Sequence, residues 1–194
     1  SDGDIDGIAS ITTADVESGC SSLSFDGIDD YIDISSYPLL NDTSSHTVEI
    51  WFKPSVVNNA VLVWAESWYF QLCDSGSSYL LETEVELCDS IQVDEWNHVV
   101  ATYDQTSGNK RIFLNNQEFP IINDYGYISN NSSNNASSMS FGMNHNQANY
   151  FEGIIGKVRF WNKYFEEADV LSSSSIDPAT ETDLLAYWDF SRST

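Results

Sequence analysis

The chain has 194 residues, with 30 acidic and 7 basic side chains and a formal net charge of −23. A surface this negative repels the phosphates of nucleic acids, which argues against a nucleic-acid partner. No apolar run reaches the roughly 18 to 20 residues that a membrane-spanning helix needs. The hydrophobic content of 41% can supply one core, so the sequence predicts a single domain without membrane insertion.

The excess of acidic residues has two explanations that the sequence leaves open. Charge repulsion of this size costs stability unless salt or bound cations screen it. An acidic surface can be an adaptation to a saline medium, or part of it can bind cations specifically. We expect cations to accompany the protein in either case.

Hydrophobic side chains recur at every second position through most of the chain. Along HTVEIWFKP, residues 46–54, this alternation places Val48, Ile50 and Phe52 on one face of a strand. The same alternation occurs in residues 97–103, 110–114, 138–143 and 157–161. Short alternating segments with frequent turns predict an antiparallel β-sandwich.

Turns and one helix complete the predicted elements. Asn115 and Asn116 suit a two-residue hairpin, because both positions of such a turn need positive φ angles. The one helical patch is FEEADVL, residues 165–171. Glu166 and Glu167 lie near its N-terminus, where the helix dipole favours acidic side chains. The fold class predicted is therefore all-β with one short helix.

Five segments, taken in order, resemble a known architecture. They are SLSFDGIDDYIDI (22–34), HTVEIWFKP (46–54), EWNHVVATYD (95–104), YFEGIIGKVRFWNKYF (150–165) and LLAYWDF (184–190). They resemble the laminin-G-like, concanavalin-A-like and pentraxin-like jelly rolls of secreted and cell-surface proteins. The resemblance implies an antiparallel two-sheet β-sandwich over roughly residues 20–191, with the short helix before the last strand.

The resemblance also implies a division of the chain and a role. Residues 20–194 would form the laminin-G-like domain, and residues 1–19 would be an acidic linker or the tail of an upstream calcium-type repeat. We expect a non-catalytic binding module of a large, multidomain extracellular adhesin that recognises a glycan or a cell-surface protein. This expectation rests mostly on fold analogy, so a purely structural spacer remains an alternative.

The N-terminal segment SDGDIDGI carries a candidate calcium loop. Its D-x-D-x-D-G spacing places Asp2, Asp4 and Asp6 at alternate positions of a tight loop, as in EF-hand-like repeats. Thr13 stands where an EF-hand loop has its bidentate glutamate. We therefore expect weak or no calcium affinity from this segment alone.

A second carboxylate group lies in FDGIDDY, where Asp26, Asp29 and Asp30 fall on a turn between two predicted strands. Alternation turns Phe25 and Ile32 toward the core, so the turn should hold these acids rigidly. Relatives of the resembled fold often hold a structural Ca²⁺ at this rim, which implies Ca²⁺ as a structural or bridging cofactor here. The alternative is that Asp26 only shapes the turn and Asp29 caps it.

Aromatic side chains that the core does not use are candidates for ligand contacts. The resemblance assigns four tryptophans to recurring core positions: Trp51, Trp96, Trp161 and Trp188. The more individual aromatic residues are Trp64, Trp68 and Tyr69. Polar partners would come from the loop at 142–150, namely Asn144, His145, Asn146, Asn149 and Tyr150. This combination suits a sugar, which has apolar faces and polar edges, although the aromatic residues could instead cover one end of the sandwich.

An enzyme is the remaining functional alternative. Glu82, Glu84 and Glu86 alternate in LETEVEL, which resembles the catalytic strand of laminarinase-type and carrageenase-type glycoside hydrolases. The central acid is Glu rather than Asp, and an acidic protein places acids on exposed strand faces by default. We therefore expect no catalytic activity.

The three cysteines, Cys20, Cys73 and Cys88, allow at most one internal disulfide. Cys73 and Cys88 flank a predicted hairpin through residues 74–78, but a tight turn there would leave Cys88 far along the partner strand. The sequence leaves open whether these two are bonded or all three thiols are free.

Overall fold

The computed structural model describes residues 4–6, 10–12, 22–35, 44–65, 68–74, 76–126, 138–144, 146 and 148–190. In chain order its strands are β1 (Asp4–Asp6), β2 (Ser10–Thr12), β3 (Ser22–Asp26), β4 (Tyr31–Ser35), β5 (His46–Pro54), β6 (Ala60–Ala65), β7 (Trp68–Asp74), β8 (Ser77–Leu80), β9 (Thr83–Val85), β10 (Asn97–Tyr103), β11 (Lys110–Leu114), β12 (Gln117–Phe119), β13 (Ile121–Asp124), β14 (Ser138–Phe141), β15 (Glu152–Trp161) and β16 (Leu184–Asp189). One α-helix, α1, covers Glu167–Ser173, and short 3₁₀ turns lie at Cys88–Ser90 and Pro178–Thr180.

The strands form two antiparallel sheets. Sheet 1 has the order β1-β4-β14-β6-β7-β8-β9-β13, and sheet 2 begins with β12-β11-β10-β5-β15. Beyond β15, strand β3 pairs with its first half and β16 with its second half, and β2 pairs with β3. The predicted all-β sandwich with one short helix is therefore confirmed.

The main core lies between the two sheets and follows the predicted alternation. Val48, Ile50 and Phe52 of β5 are all 0% exposed. Trp68 of sheet 1 meets Phe160 of sheet 2 edge-on, with ring centroids 5.3 Å apart. Edge-to-face aromatic pairs add about 0.5–1.5 kcal/mol beyond the burial of their area, so this contact helps to hold the sheets together.

The helix covers part of the outer face of sheet 2. A second, smaller apolar cluster lies there and comprises Val100, Phe113, Trp161, Phe165 and Val170. The helix begins at Glu167 because Glu166 acts as its N-cap and forms a capping box with Asp169. It starts two residues later than the sequence predicted. No helix in the described ranges combines the length and apolar character needed to cross a membrane.

A buried charged network lies beside the helix cluster. Glu49 is 0% exposed, its Oε2 accepts a hydrogen bond from Trp161 Nε1 at 2.7 Å, and its Oε1 lies 3.1 Å from His98 Nε2. Arg159 Nη1 lies 3.9 Å from Glu49 Oε2 and donates to the carbonyl oxygen of Ser173 at 2.7 Å. The network therefore connects sheet 2 to the end of α1.

Two tight hairpins use left-handed backbone conformations. Asn115 and Asn116 have φ angles of 51° and 67°, as predicted for the turn between β11 and β12. Leu81 and Glu82 have φ angles of 47° and 59° and form a turn between β8 and β9 that the sequence did not predict. Neither is a glycine or asparagine, so the residue types give no signal for this second turn.

The second hairpin corrects the strand expected from Glu82, Glu84 and Glu86. Strand β9 covers only Thr83–Val85, so Glu82 lies in the preceding turn and Glu86 follows the strand. The three carboxylates therefore do not line one face of one strand. The resemblance of LETEVEL to a hydrolase catalytic strand was wrong in this respect.

The same hairpin explains the disulfide between Cys73 and Cys88, whose Cα atoms are 5.4 Å apart. A single hairpin through residues 74–78 would have separated the two cysteines. The turn at 81–82 reverses the chain once more, so the 3₁₀ turn after β9 returns Cys88 to the end of β7. Ser78 Oγ lies 4.0 Å from the sulfur of Cys73 and 3.9 Å from that of Cys88.

The N-terminal strands differ from the expected calcium loop. Strand β1 pairs with β4, with Asp4 opposite Asp33 and Asp6 opposite Tyr31, and β2 pairs with β3. The tight-loop prediction is therefore wrong for Asp4 and Asp6, because extended backbone separates alternate residues along the strand. Asp2 and Cys20 lie outside the described residues. The domain boundary between residues 19 and 20 stays a prediction.

Candidate functional site

The outer face of sheet 1 carries a row of aromatic side chains on three adjacent strands. Trp64 of β6 is directly opposite Tyr69 of β7, so both side chains point to the same face. Gln71 of β7 is opposite Tyr79 of β8, which in turn is opposite Glu84 of β9. We refer to Trp64, Tyr69 and Tyr79 as the aromatic row.

The rings of the aromatic row form a tilted, partly exposed surface. The ring centroids of Tyr69 and Tyr79 are 6.5 Å apart, and their planes make an angle of 35°. All three aromatic residues are half-buried. Since neighbouring strands are about 4.8 Å apart, the row spans roughly 10 Å across the sheet. A ligand with a flat apolar face could contact more than one ring at once.

A hydrogen-bonded chain of polar side chains lies beside the aromatic row. Gln71 Nε2 donates to Asn59 Oδ1, and Asn59 Nδ2 donates to Asp74 Oδ1 at 3.2 Å. Because Gln71 is opposite Tyr79 and two residues from Tyr69, its amide lies next to two rings of the row. Amide and carboxylate groups are thus held at the edge of an apolar surface.

Glu84 provides a fixed carboxylate on the other side of Tyr79. Its Oε2 accepts hydrogen bonds from Asn123 Nδ2 at 2.8 Å and from Tyr125 Oη at 2.7 Å. These bonds, that from Asn123 first, lower the pKa of the Glu84 carboxyl. The bond to Glu84 in turn raises the pKa of Tyr125 to about 12. Glu84 is therefore ionised at neutral pH and held in one orientation.

The electrostatics of the row keep its tyrosines neutral. Burial and then the charge of Glu82 raise the pKa of Tyr69, and burial and then the charge of Glu84 raise the pKa of Tyr79. Burial also raises the pKa of Glu82, while Lys110 acts in the opposite direction. Both phenols stay protonated at neutral pH, so their hydroxyl groups can donate as well as accept hydrogen bonds.

The predicted polar loop at 142–150 lies beside the aromatic row. Ser140 of β14 is opposite Trp64, and its hydroxyl donates to the carbonyl oxygen of Met143 at 3.0 Å. The backbone N–H of Val61 donates to the carbonyl oxygen of Asn149 at 2.9 Å. The loop therefore packs against β14 and β6, the strand that carries Trp64.

The loop residues differ in what they can offer a ligand. Asn144 Oδ1 accepts hydrogen bonds from the backbone N–H groups of Asn146 and Ala148, both at 3.0 Å, so it shapes the loop. Asn146 is exposed, and Tyr150 is half-buried. His145 lies outside the described residues. Direct contact of these residues with a ligand stays a prediction.

Trp68 does not join the aromatic row. It is 2% exposed and packs edge-on against Phe70 and Phe160 in the core. It precedes Tyr69 directly, and successive residues of a strand point to opposite faces. Grouping Trp68 with Trp64 and Tyr69 as surface residues was therefore wrong, whereas Tyr79 belongs to the row and was missed.

The four tryptophans assigned to the core divide into two pairs. Trp161 is 1% exposed in the helix cluster, and Trp188 is partly buried against the main core. Trp51 and Trp96 are half-buried and belong to neither apolar cluster, so the core assignment was wrong for these two. Trp51 lies on the outer face of sheet 2 and stacks on His98, with ring centroids 3.9 Å apart.

The predicted carboxylate turn connects β3 and β4. The carboxylate oxygens of Asp26, Asp29 and Asp30 lie within 4.8 Å of one another. Asp26 and Asp29 are exposed, whereas Asp30 is 3% exposed. Asp26 Oδ1 accepts from the backbone N–H of Ile28 at 2.8 Å, and Asp30 Oδ2 accepts from that of Asp26 at 3.0 Å. These bonds shape the turn and hold the three acids together.

The turn packs against the start of the 142–150 loop. A Cβ atom on Gly142 would lie 2.6 Å from Phe25 Cδ1 and 3.2 Å from the carbonyl oxygen of Asp30. Gly142 also has a φ angle of 87°, which a residue with a side chain rarely adopts. Glycine therefore allows the carboxylate turn and the loop beside the aromatic row to touch.

Comparison with known families identifies the fold family. Residues 26–171, well over half of the chain, match the family model of the concanavalin A-like lectin/glucanases superfamily. The chain belongs to this superfamily. The matched range begins at Asp26 of the carboxylate turn and includes the whole aromatic row. The resemblance drawn from the five sequence segments is thus confirmed. A search of curated proteins finds no match.

Solved structures show the same fold. A structure from Bacteroides ovatus ATCC 8483, described as a carbohydrate-binding protein, is 19% identical with a TM-score of 0.67, over 88% of this chain and 51% of that one. Domain 4 of an extracellular GH43 arabinanase from Geobacillus stearothermophilus, in complex with arabinotriose, is 18% identical with a TM-score of 0.64, over 87% of this chain and 85% of that one. A SAP-like pentraxin from Limulus polyphemus is 11% identical with a TM-score of 0.54, over 82% and 84%. The chain therefore spans about half of the Bacteroides ovatus protein and most of the other two.

Proposed function

We propose that this domain binds a carbohydrate without cleaving it, through the aromatic row and the polar groups beside it. The observation that carries the proposal is the row itself, in which Trp64, Tyr69 and Tyr79 point outward from three neighbouring strands. Sugars combine apolar C–H faces with polar edges, so they match aromatic rings bordered by amides and carboxylates. The polar border here is formed by Asn59, Gln71 and Glu84 with their partners.

The comparisons support a carbohydrate ligand. The superfamily includes lectins and glucanases, the Bacteroides ovatus structure is described as carbohydrate-binding, and the arabinanase domain was solved with arabinotriose. We extend the proposal to the setting expected from the sequence. The domain would act as one module of a larger extracellular or cell-surface adhesin, and its glycan would be carried by a surface or matrix.

A non-catalytic role fits the arrangement of carboxylates on sheet 1. A retaining glycoside hydrolase needs two carboxyl groups about 5–5.5 Å apart that face one sugar. Here Glu82 lies in a turn, Glu86 follows β9, and Glu84 is held by Asn123 and Tyr125. The acids therefore serve as hydrogen-bond acceptors in the proposed function.

Calcium is proposed as a structural ion at the carboxylate turn. Ca²⁺ takes six to eight oxygen ligands, and the turn offers three carboxylates with oxygens within 4.8 Å of one another. Asp26, Asp29 and Asp30 would hold the ion, which would offset their mutual repulsion. The contact of the turn with Gly142 suggests that the ion would also steady the loop beside the aromatic row. A role of Asp2, Asp4 and Asp6 in calcium binding stays a prediction.

Alanine at Trp64 or Tyr69 is expected to weaken glycan binding by at least about 10-fold, or about 1.4 kcal/mol. Each change removes a ring that would stack on the sugar. Screening the protein on a glycan array would identify an oligosaccharide, and calorimetric titration of the variants with that oligosaccharide would measure the loss.

The matched control for this experiment is Trp51→Ala, which removes a half-buried tryptophan from the outer face of the opposite sheet. It should leave the affinity within about 2-fold, provided that its melting curve shows a folded protein. Equal losses for Trp51→Ala and Trp64→Ala would contradict a site on sheet 1. If the protein binds no glycan on the array, the domain is better described as a structural spacer.

Calcium at ten times its dissociation constant is expected to raise the free energy of unfolding by about 1.4 kcal/mol, because only the native turn gathers the ligands. Thermal unfolding with Ca²⁺ and with a chelator measures this. In Asp29→Asn the stabilisation by calcium should be smaller. The hydrogen bonds that shape the turn remain, because they use the Asp26 carboxylate and the Asp29 backbone. Glu181→Gln, at an exposed position, is the control. An unfolding temperature that calcium does not change would remove the ion from this proposal.

A further inference from the structure

The sheet that carries the aromatic row is depleted of positive charge. None of the described strands of sheet 1 contains a lysine or an arginine, and the sequence has no basic residue of either kind between Lys53 and Lys110. Acids are frequent in this stretch and include Asp74, Glu82 and Glu84. The aromatic row therefore lies in a strongly negative part of the molecule.

The charge of Lys110 acts on Glu82 in this part of the sheet, but Lys110 is already engaged. Its Nζ donates to Asp124 Oδ1 at 2.7 Å and to the carbonyl oxygen of Gly126 at 3.3 Å. Its side chain is only 2% exposed, so it cannot reach a ligand on the outer face. An anionic ligand would thus meet carboxylates without an accessible counter-charge from the described strands of sheet 1.

The same surroundings favour a cationic ligand. An ammonium group is attracted to the faces of Trp and Tyr rings and also to neighbouring carboxylates. Glu84 offers such a carboxylate next to Tyr79, fixed by Asn123 and Tyr125, and Asp74 lies at the end of the polar chain beside Gln71. A row of aromatic rings bordered by carboxylates forms the kind of surface on which a protonated amine can bind.

We propose that the aromatic row prefers saccharides that carry free, protonated amines, such as polymers of glucosamine. It would bind these more tightly than neutral or acidic saccharides. This inference rests on the proposed function. The row of three rings across roughly 10 Å suits a chain of sugar rings, each of which offers a flat C–H face. The carboxylates then distinguish an amine from an N-acetyl group at the same ring position. The occupant of this face is therefore an amino-saccharide, matched to it by both shape and charge.

The test compares oligosaccharides of equal length that differ only in charge. Fully de-N-acetylated and fully N-acetylated chito-oligosaccharides would be titrated calorimetrically into the intact protein, slightly below neutral pH, together with an oligogalacturonate as the acidic probe. We expect the amine form to bind about 5-fold to 10-fold tighter than the acetylated form at low salt, and the acidic form to bind more weakly than both. The preference should shrink in 1 M salt, where the Debye length is about 3 Å.

Variants locate the preference on the sheet. Glu84→Gln keeps the shape and the acceptor oxygen of the side chain but removes its charge, so it should reduce the preference for the amine form by several-fold. Glu86→Gln removes the same charge from an exposed position after β9 and should leave the preference unchanged. An equal effect of both changes would mean that net charge, and not Glu84, determines the preference.

The possible failures are distinguishable. If the acetylated or the acidic form binds as tightly as the amine form, the inference is overturned and the proposed carbohydrate binding stands. If the protein binds none of the three forms and no glycan on the array, the proposed function fails and the inference fails with it. Oligolysine binding as tightly as the amino-saccharide would identify a basic peptide as the better occupant and overturn the assignment to saccharides.

Discussion

Replacing Glu49 with alanine is expected to lower the free energy of unfolding by about 3–5 kcal/mol, the cost of removing one partner from a buried ion pair. The carboxylate is 0% exposed and accepts hydrogen bonds from Trp161 Nε1 and His98 Nε2. Its loss would leave the guanidinium of Arg159 buried without its counter-charge. Urea unfolding monitored by tryptophan fluorescence would measure the change.

Two control variants separate the network from simple charge effects. Glu49→Gln keeps an acceptor for Trp161 Nε1 but lacks the charge. Its free energy of unfolding should therefore lie between that of the wild type and that of the alanine variant. Glu86→Ala removes a carboxylate at an exposed position and should change stability by about 0.5 kcal/mol or less. A loss below about 1 kcal/mol for Glu49→Ala would show that water or relaxation of the helix replaces the missing partner.

The network also explains why a short helix remains in place on sheet 2. Arg159 donates to the carbonyl oxygens of Ser173 and Ile176, at the end of α1 and just beyond it. If the network holds α1 on sheet 2, Glu49→Ala should destabilise the helix together with the sheet. Helices of seven residues have little stability of their own, so tertiary contacts of this kind must supply it.

The strands could be predicted from the sequence because one face of each is buried. In β5 the inward residues Val48, Ile50 and Phe52 follow the two-residue period without interruption, and the predicted and observed bounds agree at His46–Pro54. The second hairpin could not be predicted in the same way. Leu81 and Glu82 adopt positive φ angles that their residue types do not favour, so only tertiary packing selects that turn.

The candidate site was predictable only in part. Trp64 and Tyr69 were recognised from the sequence as individual aromatic residues. The alternation rule would also have placed Trp68 on the opposite face from Tyr69, because adjacent strand residues point to opposite faces. Tyr79 joins the row through the register of β7 with β8, and a bulge between Gln71 and Asp74 shifts that register. Local sequence does not determine such a shift, so the third ring needed the structure.

Removing the disulfide by the double change of Cys73 and Cys88 to alanine is expected to lower the free energy of unfolding by about 3 kcal/mol. The bridge closes a loop with a sequence separation of 15, and a loop of this size restricts the unfolded chain by about that amount. Chemical unfolding of the wild type and the double variant would measure the difference. Cys20→Ala is the control for loss of a cysteine outside the pair.

The double variant also tests whether the disulfide supports the aromatic row. Tyr79 and Glu84 lie within the loop that the bridge closes, on β8 and β9, whereas Trp64 and Tyr69 lie outside it. Loosening β8 and β9 should therefore weaken glycan binding through Tyr79 even at temperatures where the domain stays folded. Unchanged affinity with lowered stability would mean that the ladder of β7, β8 and β9 holds Tyr79 in place without the bridge.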